Sequence, residues 1–232
     1  LARQGWALAL HGHSNTQPED GLVEILSEYQ TSWHGFQADL LNTDDIAALI
    51  GRVADHFGRA PDLLVNNASL FQDDSIDTLG ASAMEQHWRI HVLAPTLLTQ
   101  SLYKFIGEDD RACVVNIVDQ RVRNPHGDQL SYTLSKQAMA ESIRTLARAC
   151  APQLRVNGVA PGMTLETADY AAGQMDAIAD MMPLKRNSMP SDIAQTVAYL
   201  ADAQALTGQL LYTDGGAHLE SYSRDFIYLT DT

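Results

Sequence analysis

The chain has 232 residues, 45% of them hydrophobic, with 15 Gly and 8 Pro, enough for one large α/β domain or two small ones. A net charge of −14 disfavours a general nucleic-acid or anionic-membrane binder, since both need a basic surface, although a local basic or polar pocket for a phosphate stays open. Two cysteines, Cys113 and Cys150, make no disulfide framework, and without a leader-like segment or an apolar stretch of about 18 residues the expected setting is the cytoplasm.

The chain begins at Leu1, and "LARQGWALALHGHS" reads as the end of a helix followed by a strand, so further residues are expected upstream. Short apolar runs follow at 6–10, 36–38, 63–65, 114–118, 156–159 and 210–212. Nearly continuous apolar strands are what a parallel sheet covered on both faces requires. Amphipathic stretches lie between them. "EDGLVEILSEYQ" is the first. "NTDDIAALIGRVADHFG" has Asn42 or Thr43 as cap and Ile46, Leu49, Ile50, Val53 and Phe57 on one face. "SAMEQHWRIHVLAPTLLTQSLYKFI" predicts a long helix bent at Pro95. "SYTLSKQAMAESIRTLARACA" and "PSDIAQTVAYLAD" predict two more. This alternation, with no repeat and no linker, predicts a Rossmann-type, doubly wound parallel sheet in a single domain over residues 1–232. Residues 163–189, rich in Met and Ala, break the rhythm where the ligand crevice of such a sheet lies, and are expected to form a substrate lid.

Within "VVNIVDQRVRNPHGDQLSYTLSK", Tyr132 and Lys136 are one helical turn apart on one face, and Asp119 stands thirteen residues before the tyrosine at a strand end. An ammonium beside a phenol is expected to lower the tyrosine pKa and make it a usable general acid. Tyr-x-x-x-Lys alone is weak, but it stands among "LLVNNAS", "RVNGVAPG" and "TGQLLYTDGG", each containing or ending an apolar strand. No Cys/His/Asp cluster has metal-ligand spacing. His87, His126 and His218 read as surface or C-terminal packing residues, and Arg121 and Arg123 as solvated charge. Met175, Met181 and Met182 read as lid or core packing.

On these motifs the chain resembles the short-chain dehydrogenase/reductase family over nearly its whole length. The resemblance implies Tyr132 as proton donor and Lys136 as holder of the cofactor ribose. It implies cofactor contacts at Asp39 and Leu40 of "QADL", at Asn67, Ala68 and Ser69, and at Pro161 and Gly162. The family's catalytic serine matches Asp119 here, and its helix asparagine matches His91, to which a supporting role is given. Within the family this combination resembles the pteridine reductases and dihydromonapterin reductases, and Phe71 of "NNASLF" falls where they place an aromatic ring against the pterin.

After 6–10 the chain runs "LHGHSN", with His13, Ser14 and Asn15 and no acid until Glu19, which favours NADPH over NADH. The family's Gly-rich phosphate turn and the strand before it would precede Leu1; Gly5 and Gly12 flank a second strand and cannot replace them. The resemblance thus implies an NADPH-dependent oxidoreductase acting on a pterin, with dihydromonapterin, dihydrobiopterin or dihydrofolate as candidates. It also implies a homotetramer joined through the long helices. The alternatives are a carbonyl or alcohol reductase of other specificity and a non-catalytic protein of the same fold.

Overall fold

In a computed structural model that describes residues 1–166 and 170–229, six parallel strands form two sheets. Strand β1 (Leu8–Gly12) pairs with β2 (Trp33–Gln37), starting at Leu8 opposite Trp33. The second sheet has the order β3 (Leu63–Asn66), β4 (Ala112–Ile117), β5 (Leu154–Pro161), β6 (Leu210–Thr213). Helices α1 (Asp20–Glu28), α2 (Thr43–Phe57), α3 (Ala81–Trp88), α4 (Ala94–Phe105), α5 (Leu130–Cys150), α6 (Gln174–Met181) and α7 (Pro190–Asp202) fill the intervals. The α/β alternation expected from the sequence is therefore present. β1 begins two residues later than the apolar run, because Gly5 closes a short 3₁₀ turn in the left-handed region at φ 80°.

Side chains alternate across a strand, and β4 shows what that does here. Val114 and Val118 join α2, α4 and α5 in the larger core through Ile46, Leu49, Leu98, Leu102, Met139 and Ile143. Cys113 and Val115 point to the other face, against Val197 and Leu200 of α7. Both faces of the central strand are thus covered, which explains its unbroken apolar run. Phe36 of β2 and Ala38 belong to the larger cluster as well, so both sheets pack on the same core.

Asn42 caps α2, its Oδ1 accepting from the Asp44 and Asp45 amides. The long helix expected around Pro95 is interrupted differently. A π segment at Arg89–Leu93 separates α3 from α4, and Pro95 is the second residue of α4. Proline can donate no hydrogen bond to the preceding turn and so sits at a helix start rather than inside one.

Parallel strands place all their carboxyl ends along one edge. His13–Asn15 follow β1, Asp39 and Leu40 follow β2, Asn67–Ser69 follow β3, Asp119 follows β4, and Pro161 and Gly162 end β5. Two glycines on this edge have no room for a side chain. A Cβ on Gly12 would meet the Asn15 carbonyl, and one on Gly162 would lie 2.8 Å from the Asp214 Cα. Because the obstacle at Gly162 is backbone, Gly162→Ala is expected to lower unfolding free energy by roughly 1–3 kcal/mol in urea titration.

Candidate active site

Asp119 leaves β4 as the cap of a 3₁₀ turn, Gln120–Val122. Its Oδ1 accepts from the Arg121 amide at 2.8 Å, and its Oδ2 accepts from the Tyr132 hydroxyl at 2.8 Å. The bond spans thirteen residues and joins the end of β4 to the first turn of α5. One turn on, Lys136 is buried and donates from Nζ to the Ile117 carbonyl at 2.8 Å, with Nζ 5.6 Å from the centre of the Tyr132 ring. The spacing of Asp119, Tyr132 and Lys136 in the sequence thus becomes one cluster.

The electrostatics differ from the sequence expectation. Burial raises the Tyr132 pKa well above its ordinary value, and the adjacent Asp119 charge adds to this, with Arg121 opposing. The ammonium does not produce a phenolate here: burial disfavours any charge on the ring oxygen, and a carboxylate accepting its proton favours the neutral form. Tyr132 is a protonated donor. Lys136 moves the other way. Burial pulls it from 10.5 to about 8, with Asp119 pushing up and Arg121 down.

His91 sits in the π segment, fully buried. Its Nε2 accepts from the Leu70 amide at 3.2 Å and lies 2.9 Å from Ser69 Oγ; its Nδ1 lies 2.8 Å from Ser135 Oγ. Since Leu70 can only donate, the network assigns the proton to Nδ1, and Ser135 passes its own hydrogen to the Tyr132 carbonyl at 2.7 Å. Burial drives the His91 pKa down to about 2, with Lys136 and His87 acting in the same direction. A neutral imidazole therefore ties the segment after β3 to α5 beneath the tyrosine.

Phe71 is 56% exposed, and its ring meets Tyr132 edge to face with centroids 4.9 Å apart. Together they line a cavity of about 500 Å³ with Asp119, Arg121, Gly162 and Met163, closed on another side by Asp225–Tyr228. Of the expected site residues, Phe71, Asp119, Tyr132 and Gly162 line this cavity, with Lys136 directly behind the tyrosine. The rest lie along the same sheet edge. His13 Nδ1 stands 3.7 Å from Asp39 Oδ1, Asn15 Oδ1 accepts from the Gln17 amide, and Leu40 is buried. Ser14, Asn67, Ala68 and Pro161 occupy the same loops and strand ends.

Several residues were read otherwise from the sequence. Arg121 is buried, not solvated, because it sits between Asp119 and Asp225, a partner 104 residues away. His87 is fully buried beside Ser131, with Nδ1 2.9 Å from its hydroxyl, and burial lowers its pKa. The His126 side chain is 5% exposed, near Asp128 and Asp225, and burial followed by Arg121 lowers its pKa. His218 does pack near the C-terminus, stacked on Tyr212 and bonded to Asp214. Asn66 was missed: its Nδ2 donates to Asn116 Oδ1 at 2.8 Å, tying β3 to β4. A buried polar pair at matching strand positions was the available signal. Residues 167–169 of the expected lid lie outside the described residues, but Ile178 and Met182 from its helical part pack on Ala217 and Phe226.

Among the described residues no group of three or more His, Cys, Asp or Glu could hold a metal ion, and no helix is long and apolar enough to cross a membrane.

The family model described as Enoyl-(Acyl carrier protein) reductase matches residues 1–218. FolM alternative dihydrofolate reductase 1 from Brucella suis, solved in complex with NADP, is 34% identical with a TM-score of 0.83, covering 97% of this chain and 90% of that one. The Brucella canis protein of that name, also complexed with NADP, is 34% identical with a TM-score of 0.85, covering 98% and 89%. A 3-oxoacyl-(acyl-carrier-protein) reductase of Staphylococcus epidermidis is 26% identical over 237 residues, 94% of this chain and 91% of the relative.

The depressed Lys136 pKa has a consequence for stability. Folded Lys136 loses its proton near 8 and the unfolded residue near 10.5, so between these values the unfolded chain binds more protons. Its contribution to folding stability should therefore rise with pH across that window. In Lys136→Met this rise should disappear from unfolding free energies measured in urea at pH 8 to 10, a range that follows from the two pKa values.

Proposed function

The chain belongs to the short-chain dehydrogenase/reductase family, and we propose that it is an NADPH-dependent reductase of a pterin-type substrate. The observation that carries this reading is the 2.8 Å bond from Tyr132 to Asp119, a carboxylate where the resemblance implies a serine. A pterin presents amino and ring N–H groups, which an ionised acid accepts and a hydroxyl matches less well. Phe71, exposed on the cavity wall, offers a face for a flat heteroaromatic ring. The likeness to two NADP-bound FolM alternative dihydrofolate reductases supports both the cofactor and the substrate class.

The donors on the sheet edge suit a phosphorylated dinucleotide. Lys136 has three N–H donors, of which one is described on the Ile117 carbonyl, so it can also hold ribose hydroxyls. His13, Ser14 and Asn15 follow β1 with donor-bearing side chains and suit a 2′-phosphate. Asp39 and Leu40 would border the adenine, and Asn67, Ala68, Ser69, Pro161 and Gly162 the rest of the cofactor. When bound, the dinucleotide supplies the hydride. The protein's part is to orient and protonate. Tyr132, held neutral by burial and by Asp119, delivers a proton to the substrate nitrogen as the adjacent ring carbon is reduced, turning C=N into CH–NH, and the Arg121 and Lys136 cations beside the ring face the phenolate this leaves. Asp119 accepts substrate N–H groups and keeps the hydroxyl aimed. His91 supports both by fixing the backbone on either side. Residues 163–189 would cover the bound substrate as a lid. A homotetramer is the proposed assembly, its contacts on α3, α4 and α5, where Trp88, Tyr103, Phe105 and Leu134 are exposed. The proposed location is the cytoplasm.

The 3-oxoacyl-(acyl-carrier-protein) reductase relative favours a second reading, reduction of a ketone on an acyl chain. Steady-state assays with NADPH should separate the two, with kcat/KM for a dihydropterin at least about tenfold above that for an acetoacetyl thioester. The reverse order would establish the carbonyl reading instead. Asp119→Ser should cost about 100-fold in pterin kcat while NADPH affinity changes by less than about threefold. Equal loss of both, or no loss, would remove Asp119 from the role given to it.

A further inference from the structure

Arg121 stands two residues beyond Asp119, and its guanidinium is shared unequally between two carboxylates. Nη2 donates to Asp225 Oδ2 at 2.5 Å, whereas Nε lies 3.5 Å from Asp119 Oδ1 and is buried without a hydrogen-bond partner. Nη1 donates to Gln129 Oε1 at 3.0 Å, and Gln129 Nε2 donates to Asp73 Oδ1 at 3.3 Å. The centre of the guanidinium is 5.1 Å from the Tyr132 ring centroid and 5.7 Å from that of Phe71. An arginine beside a carboxylate ordinarily takes both oxygens in a fork. Here the fork is turned towards Asp225 and Gln129, and Asp119 Oδ2 is left to the tyrosine.

We infer that Arg121 and Asp225 are positioning residues: Asp225 seats the guanidinium so that it supports Asp119 by charge without competing with Tyr132 and the substrate for its oxygens. Asp225 belongs to the segment 222–229 whose residues Asp225–Tyr228 wall the cavity, so the same contact that seats the arginine closes the pocket. The other groups around this centre come from four stretches of the chain. Tyr132 and Lys136 face it from α5. His126 lies between Asp128 at 3.6 Å and Asp225 at 3.9 Å, and Arg224 holds Asp128 from outside at 3.1 Å. Asp73, also bonded by the Tyr228 hydroxyl, closes the ring through Gln129. Burial lowers the Arg121 pKa, but Asp119 and Asp225 together carry it above its ordinary value, so the cation persists throughout the working range.

This inference rests on Tyr132 as the proton donor, and its test needs no substrate. The structure of Asp225→Asn is determined without substrate. Asparagine keeps the shape of the side chain and removes the charge that turns the fork, so the guanidinium should swing onto Asp119 and draw its Oδ2 from Tyr132. A guanidinium that stays on residue 225, with the bond from Tyr132 to Asp119 unchanged, overturns the inference. In turnover, Asp225→Asn should lower kcat about tenfold with the KM for NADPH unchanged. Arg121→Lys, which keeps the charge and loses the fork, should retain more activity than Arg121→Met, and equal loss in the two overturns the charge support assigned to Arg121. A parent protein that reduces neither dihydropterins nor carbonyls sinks the functional reading, and the structure of Asp225→Asn still decides this one.

Discussion

A phenol that gives its hydrogen to a carboxylate, Tyr132 to Asp119, is the interaction on which the rest of the site depends. It fixes the tyrosine rotamer and keeps the ring oxygen protonated. It also sets a problem, because a carboxylate at the mouth of a partly enclosed cavity needs counter-charge. Arg121 and Lys136 provide it, and both are buried. The lysine pays in basicity, falling to about 8. Chemistry and stability therefore pull against each other at these positions, as they commonly do where charges are gathered for function.

The sheet explains why such distant segments meet. Parallel strands deliver their carboxyl ends to one edge, so five loops that are far apart in sequence open on the same side. The central strand β4 is covered by apolar side chains on both faces and ends at Ile117, two residues before Asp119. Its burial makes it the least movable place from which to aim an acid. His91 performs the matching service for α5, since a neutral ring bonded to Leu70 and Ser135 cannot drift with pH in the working range.

Much of this was legible in the sequence because it is local. The strand runs, the Asn42 cap and the apolar face of α2 declare themselves within a dozen residues. So does the Asp119, Tyr132, Lys136 spacing, once a helix is granted. Arg121 was not legible. Its partner Asp225 is 104 residues away, and an arginine in a polar loop gives no sign of which carboxylate it will meet. The Tyr132 charge state was misread for a related reason: the lysine four residues on was visible, while burial and the direction of the hydroxyl are properties of the assembled fold. The interruption of the long helix was visible as a proline, but the π turn before it, which carries His91 against Ser135 of α5, was not.

These separations also differ in what they cost the chain. Bringing Tyr132 to Asp119 closes a loop of thirteen residues, and bringing Asp225 to Arg121 closes one of 104. Loop closure costs more entropy as the loop lengthens, though slowly, so the second contact is the costlier to bring about. The acid and its phenol are therefore cheaper to bring together than the acid's neighbour Arg121 and the enclosing wall. The wall of the cavity, residues 222–229, is therefore held to Arg121 by the closure that constrains the chain most, and its place depends on what it meets there.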